Sequence, residues 1–311
     1  MKSPARILIT GASGFVGRRI IAALAASYPE ARVIGLDRMG ETGTRLDITD
    51  KESVEAAIEQ HQPDHLVHLA AISSVPQSFS DPELTWRTNV FGTLNLIMAL
   101  QAHAPDCRML FVSSAEVYGR STFNGTSVKE DALLQPNNPY AASKAAADIM
   151  VRESSNRGLK ATIVRPFNHT GPGQSDAFVI PAFCSQIARI EKGLQPPQIE
   201  VGQLDDERDF CDVRDIIDLY MLIIGESAHL SPGLTLNAAS GVPRRIGDIL
   251  ETLLSKASVP ITVKQDPARL RAVRVPRILG NADLARQTLG WSPVIPFEQT
   301  LQETLDYWRS V

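Results

Sequence analysis

Tyr140 and Lys144 stand four residues apart in YAASK, so any helix that holds them places both on one face. An ammonium beside a phenol favours the phenolate, lowering the tyrosine's pKa toward working pH and suiting it to acid–base catalysis. Upstream, SSAEVYG (113–119) follows the apolar run Met109–Val112, which sets the hydroxyls of Ser113 and Ser114 and the carboxylate of Glu116 at the end of a buried strand. Such a group can donate a proton to a carbonyl, polarise it and, through Glu116, remove a proton from carbon. Alone, a Tyr–Lys pair at this spacing is frequent by chance, and an amphipathic tyrosine beside a solvated lysine is the plain alternative.

A second set of residues binds rather than reacts. GASGFVG joins the first strand to the first helix, with Gly11, Gly14 and Gly17 spaced for a tight turn, close approach to a pyrophosphate and helix-on-strand packing. With Ser13, Phe15 and Val16 between them, the helix start offers unpaired N–H groups and the positive end of its dipole. Asp37 ends the second strand about 20 residues beyond the last glycine, where a carboxylate accepts from a ribose 2′-hydroxyl. It repels a 2′-phosphate and so favours NAD(H), whereas the neighbouring Arg38 suits NADP(H). Asp47 and Ile48 follow the next short segment and are expected to flank the adenine.

The elements that position these residues alternate. Strand-like runs at 7–10, 32–36, 65–69, 109–113 and 161–165 are separated by helical stretches near 14–26, 51–60, 84–102 and 140–157. Near-continuous apolar strands between helices predict an α/β fold, a Rossmann-type doubly wound parallel sheet covered on both faces. After Arg165 the pattern turns rich in Pro and Gly, with helices expected at 182–191, 212–224 and 283–289. The expected division is a dinucleotide-binding domain of residues 1–165 and 210–241, and a smaller, discontinuous substrate lobe of 166–209 and 242–311.

Composition narrows the partners. A net charge of −4 over 311 residues gives no electrostatic reason to expect nucleic acid or an anionic membrane. Cys107, Cys184 and Cys211 are odd in number and lack metal-ligand spacing, so they read as core thiols of a reducing compartment, with no metal expected. No uncharged run reaches membrane-spanning length and no leader-like apolar segment precedes the first strand; the expected location is cytoplasmic.

Glycine loop, strand-end serines and YxxxK occur here in the order that resembles the extended short-chain dehydrogenase/reductase family, over essentially the whole chain. That resemblance implies roles for Ser114, Tyr140 and Lys144 as catalytic hydroxyl, acid–base tyrosine and ribose-binding lysine. It implies a third-strand cofactor contact at Leu69, Ala70 and Ala71, and support for the nicotinamide from Asn89 and Pro166. The run from 165 to 213, together with DPARLR (266–271), is similar to GDP-4-keto-6-deoxy-mannose reductases and to the neighbouring GDP-mannose 4,6-dehydratases. The implied partner is a GDP-linked 4-keto-6-deoxyhexose. Arg208 and Arg271 offer planar forks for its phosphates, Arg189 lies toward the guanine, and Ser73, Asn168, Ser114 and Val179 are placed around the sugar. Ala115 stands where related glucose-nucleotide dehydratases have an aspartate, and Ala177 where the mannose enzymes have an asparagine. The reductase is therefore favoured over the dehydratase, and the Tyr–Lys pair argues against a non-catalytic dinucleotide-sensing scaffold. The helices near 89–102 and 140–157 resemble those that pair in family homodimers.

Overall fold

The computed structural model describes residues 4–41, 43–269 and 275–311. Its strands are β1 (Arg6–Thr10), β2 (Arg32–Asp37), β3 (Gly43–Arg45), β4 (His65–His68), β5 (Arg108–Val112), β6 (Lys160–Pro166), β7 (Asn168–Thr170), β8 (Gln198–Val201), β9 (Glu207–Asp212), β10 (Thr235–Ala238), β11 (Pro243–Arg245), β12 (Thr262–Gln265) and β13 (Arg277–Ile278). Among the described residues the helices are α1 (Phe15–Ser27), α2 (Lys51–His61), α3 (Val75–Ser80), α4 (Pro82–Trp86), α5 (Gly92–His103), α6 (Pro139–Asn156), α7 (Val179–Glu191), α8 (Val213–Glu226), α9 (Ile246–Leu254), α10 (Asp283–Leu289) and α11 (Phe297–Ser310).

The main sheet is parallel throughout, in the order β10-β6-β5-β4-β1-β2-β3. Its central strands are apolar on both faces: Ile7, Leu8 and Ile9 of β1 are all fully buried, each alternate residue facing a different layer of helices. The order of strands reverses between β1 and β4, and a crevice at their carboxyl ends is where a doubly wound sheet receives its ligand. The loop after β1, the loop after β4 and the turn after β5 all open there.

A smaller sheet, β11-β9-β13 with β7 alongside β9, lies beyond. β9 is its shared strand and leads directly into α8, which packs on α1 of the larger layer. The strand reaches Asp212, three residues into the segment expected of the larger domain. Asp209, fully buried on β9, fastens it: its carboxylate accepts from the N–H and hydroxyl of Ser240 and from the N–H groups of Gly241 and Gly280.

Two helices, α9 and α11, lie in the stretch that reads as Pro- and Gly-rich connection. The prolines there open elements rather than interrupt them: Pro296 is the residue before the first turn of α11, and Pro243 begins β11 just ahead of α9. The long helix expected at 84–102 is present, but it passes through one π-helical turn, Arg87–Phe91, between α4 and α5.

Candidate active site

Glycine is required where the first loop folds. Gly11 has φ +71, and a β-carbon there would stand 2.8 Å from the backbone nitrogen of Ala70. A β-carbon on Gly17 would lie 2.3 Å from the carbonyl oxygen of Gly11, so helix and strand meet only because neither carries a side chain. Gly14 precedes α1 without any side-chain cap, which leaves the first-turn N–H groups directed at the crevice with Ser13, Phe15 and Val16 beside them. Leu69, Ala70 and Ala71, just after β4, form the opposite wall of this cradle; Leu69 N–H donates to the Thr10 carbonyl.

The far end of the cradle differs in detail from the sequence expectation. Asp37 does end β2, but it is only 5 % exposed, and its Oδ1 accepts from the backbone N–H groups of Met39, Gly40 and Glu41. It organises the turn that carries the exposed Arg38. Asp47 accepts from the N–H and hydroxyl of Thr49, and Ile48 is packed in the core against Gly92 rather than lying open as a platform.

Ser114, Glu116, Tyr140 and Lys144 converge at the end of β5. Asn138 caps α6 through its side chain, with Pro139 in the first turn, and this start of the helix carries Tyr140 to the serines. The Tyr140 phenol stands beside the Ser114 hydroxyl, which acts to lower its pKa. Ser114 in turn accepts from the N–H of Glu116, and Asn138 Nδ2 donates to Glu116 Oε2 at 3.3 Å. Ala115 between them is buried and carries no charge.

The electrostatics correct one expectation. Burial pushes the Tyr140 phenol up to about 12; the Ser114 hydrogen bond pulls against this, and the Glu116 carboxylate adds to it. Lys144 does not offset the rise, because its Nζ donates to the Val112 carbonyl at 2.6 Å and lies over the Phe111 ring, 4.5 Å from its centroid. Burial brings the Lys144 ammonium down to about 8, with the Asp148 carboxylate opposing. Tyr140 is therefore a protonated acid across the neutral range, and Lys144 is the group that titrates near it.

Several supporting residues act through partners that a single sequence does not reveal. Asn89, buried in the π-helical turn, accepts from Ile72 N–H and donates to the Ile72 carbonyl and the Ser143 hydroxyl, tying the loop after β4 to α6. Its amide is consumed in this brace. His68 accepts or donates at both ring nitrogens, to Thr10 at 2.7 Å and Thr93 at 2.9 Å, and burial holds it neutral, at about 3. Asp148, one turn beyond Lys144 and fully buried, meets Arg165 in a two-pronged ion pair. Arg165 also donates to the Tyr118 hydroxyl and the Glu130 carbonyl, and Tyr118 donates to Asn237. The i,i+4 relation of Lys144 and Asp148 was the available signal; partners 17 to 119 residues apart leave none in a single sequence.

The expected substrate residues are dispersed around the crevice and the smaller sheet. Pro166 ends β6, and Asn168, exposed, opens β7. His169 stacks on Phe15, with ring centroids 6.4 Å apart, and burial keeps it neutral. Val179 begins α7, Arg189 is exposed in its last turn, and Ser73 is exposed in the loop before α3. Arg208 is mostly buried and pairs with Asp206 at 3.2 Å, which accounts for a cation in so acidic a segment. Arg271 lies outside the described residues.

The residues present suit a dinucleotide: a side-chain-free cradle, a lysine beside the crevice, and a buried Ser113 hydroxyl with no hydrogen-bond partner among the described residues. The model of the GDP-mannose 4,6 dehydratase family matches residues 8–304. The chain is 36 % identical to GDP-6-deoxy-D-mannose reductase of Pseudomonas aeruginosa, over 98 % of this chain and 97 % of that protein. It is 31 % identical to GDP-6-deoxy-D-talose 4-dehydrogenase of Aggregatibacter actinomycetemcomitans, over 92 % and 91 %. Among solved structures, RMD from Pseudomonas aeruginosa complexed with NADPH superposes with a TM-score of 0.88 at 34 % identity, covering 98 % of this chain and 99 % of that one. The UDP-glucose 4-epimerase of Thermus thermophilus in complex with NAD gives 0.86 at 27 % identity, with the same coverage.

Proposed function

Because the chain belongs to the GDP-mannose 4,6 dehydratase family, we propose that it is an NAD(P)H-dependent reductase of nucleotide sugars. It converts the C4 ketone of GDP-4-keto-6-deoxy-D-mannose to an alcohol, yielding a GDP-6-deoxyhexose, GDP-D-rhamnose or its C4 epimer. The observation that carries this reading is the placing of Tyr140 beside Ser114 at a turn in which Glu116 is the single carboxylate and the buried Ala115 fills the place of a second. A reduction needs one acid and one hydrogen-bond donor at the ketone; an elimination needs more.

A dinucleotide held by the glycine loop and Lys144 would supply the hydride for C4. Tyr140, protonated in the neutral range, gives its phenolic proton to the ketone oxygen as negative charge develops there, and Ser114 donates a second hydrogen bond to the same oxygen. Lys144, its Nζ held by the Val112 carbonyl, would bind the ribose hydroxyls of that dinucleotide, and solvent returns the proton to Tyr140. The smaller lobe, residues 166–209 and 242–311, covers the sugar nucleotide in this reading, with Asn168, Val179, Arg189 and Arg208 toward the GDP.

The enzyme acts as a cytoplasmic homodimer in this reading. Among the described residues no helix is long and apolar enough to cross a membrane. Trp86 of α4, Phe91 of the π-helical turn, Met98 of α5 and Ile149 of α6 are all exposed, and apolar side chains left open on these packed elements support pairing with a second copy.

The test is to supply purified protein with GDP-4-keto-6-deoxy-D-mannose and NADH or NADPH and follow the reduced-nicotinamide absorbance. Its steady loss is the expected result. No loss, with conversion of GDP-mannose to the keto sugar in the absence of added reductant, would make the protein a dehydratase.

A further inference from the structure

Tyr220 of α8 is fully buried, yet its hydroxyl has no hydrogen-bond partner among the described residues. A buried O–H left without a partner costs stability, and Phe would fill the same space without that cost. Tyr118, also fully buried, shows the usual arrangement: its hydroxyl donates to Asn237 and accepts from Arg165. The course of α8 shows where the Tyr220 hydroxyl goes. The helix starts at Val213, which with Phe15 of the glycine loop borders Gly171. It ends against Ser227, which meets His65 and Arg108 at the starts of β4 and β5. It therefore runs against the strands, from the crevice to the opposite edge of the sheet. Near that edge Ile223 and Ile224 line a small cavity together with Met109 and Leu110. Tyr220 is one turn, about 5 Å, nearer the crevice, and a helical side chain leans toward the start of its helix. The hydroxyl is thus carried to the end of β5, where Ser114 and Tyr140 stand.

Burial pushes the Tyr220 hydroxyl far above its ordinary range, and the Tyr140 phenol adds to the rise, as a second ionisable hydroxyl close by does. The other groups around the Tyr140 oxygen are committed or unsuited. Ser114 is turned to the ketone in the reading above, Glu116 is an acceptor that repels a phenolate, and Lys144 is fastened to the Val112 carbonyl. While Tyr140 keeps its proton, Tyr220 stands unpaired. Once Tyr140 has given that proton to the ketone oxygen, its own oxygen carries a full charge and becomes a strong acceptor. We propose that Tyr220 is a positioning residue that acts through Tyr140: its O–H turns to the phenolate oxygen left by proton transfer and holds it until solvent returns the proton. Tyr220 keeps its own proton throughout. A contact made as the charge develops, and not before, speeds the reaction rather than tightening substrate binding. The inference rests on the reductase reading above.

Tyr220→Phe, compared with the wild type as full-length protein, tests it. The measurements are kcat and KM for reduction of the keto sugar, the rate of the reverse oxidation of the GDP-6-deoxyhexose from pH 7 to 10, and the melting temperature. Turnover is expected to fall about tenfold in both directions, while KM for the sugar nucleotide and for the dinucleotide stays within about twofold. Oxidation needs the phenolate as base, so loss of its donor raises the Tyr140 pKa and moves the rising limb of that profile up by about one pH unit. The melting temperature is expected to hold or rise, because an unpaired buried hydroxyl has gone. Unchanged turnover with an unmoved profile would overturn the proposal. So would a fall in turnover that comes with a lower melting temperature and an unmoved profile, since lost packing alone produces it. A wild type that neither reduces the keto sugar nor oxidises the alcohol would overturn the reductase reading, and this inference with it.

Discussion

Lys144 Nζ donates to the carbonyl oxygen of Val112 at 2.6 Å, so the helix that carries the candidate acid is fastened by its lysine to the strand that carries the candidate hydroxyl. Burial lowers this ammonium from 10.5 to about 8. Dinucleotide affinity is therefore expected to be flat below pH 8 and to weaken above it as the charge is lost, and Lys144→Arg should remove that decline. Titration of cofactor binding from pH 6 to 10 checks both. Stability follows the opposite course: between about 8 and 10.5 the native lysine has released a proton that the unfolded chain still holds, so its contribution rises with pH across that window.

Replacing Tyr140 by Phe removes the candidate proton donor and leaves the ring in place. Turnover of the keto sugar is expected to fall on the order of 10²- to 10⁴-fold. Cofactor affinity, read by fluorescence titration, should stay within about threefold. Undiminished turnover would show that another group protonates the oxygen.

Glu116 separates reduction from dehydration. Its charge helps hold the Tyr140 phenol high, and Asn138 fixes its carboxylate. In Glu116→Gln the ketone reduction is expected to survive within roughly fivefold. Collapse of activity would assign the carboxylate a proton-transfer step and favour the dehydratase.

Asp148 and Arg165 are both fully buried, and removing one strands the other. Asp148→Ala is expected to cost about 3–5 kcal/mol of stability, measured by urea unfolding. A loss below about 1 kcal/mol would mean that Tyr118 and the Glu130 carbonyl suffice to satisfy the guanidinium.

The apolar stripe predicts association. Phe91→Asp combined with Ile149→Asp, at sites 56 % and 52 % exposed, is expected to convert a dimer to a monomer in sedimentation without lowering the melting temperature. Unchanged mass would place the subunit contact elsewhere, or show that none forms.

Much of this site was legible in the residues alone, for identifiable reasons. The glycine loop, the strand-end serines and the Tyr–Lys pair are local patterns, and the backbone geometry that gives them meaning spans fewer than eight residues each. The parallel sheet was legible because its strands are apolar on both faces. What was not legible depends on distant partners. Asp37 could be placed at the end of β2, but not its inward turn onto the N–H groups of residues 39–41. Lys144 could be placed near Tyr140, but not on the Val112 carbonyl, which removes the expected lowering of the phenol. Tyr118, Arg165 and Asn237 read as ordinary core and strand residues until the fold brings them to Asp148.

The π-helical turn at Arg87–Phe91 sets a phase. Within one helical run, Asn89 points its amide inward to Ile72 and Ser143, while Phe91 and Met98 face outward. The wide turn takes up one residue more than an ordinary helical turn, so α4 and α5 stay nearly in phase on either side of it. What the extra residue changes is local: it lets Asn89 turn its amide inward without rotating the helices that flank it. Deleting it would leave the course of the long helix almost as it is and remove the brace that ties the loop after β4 to α6, so a single lost residue here acts on the interior of the site rather than on the outline of the fold.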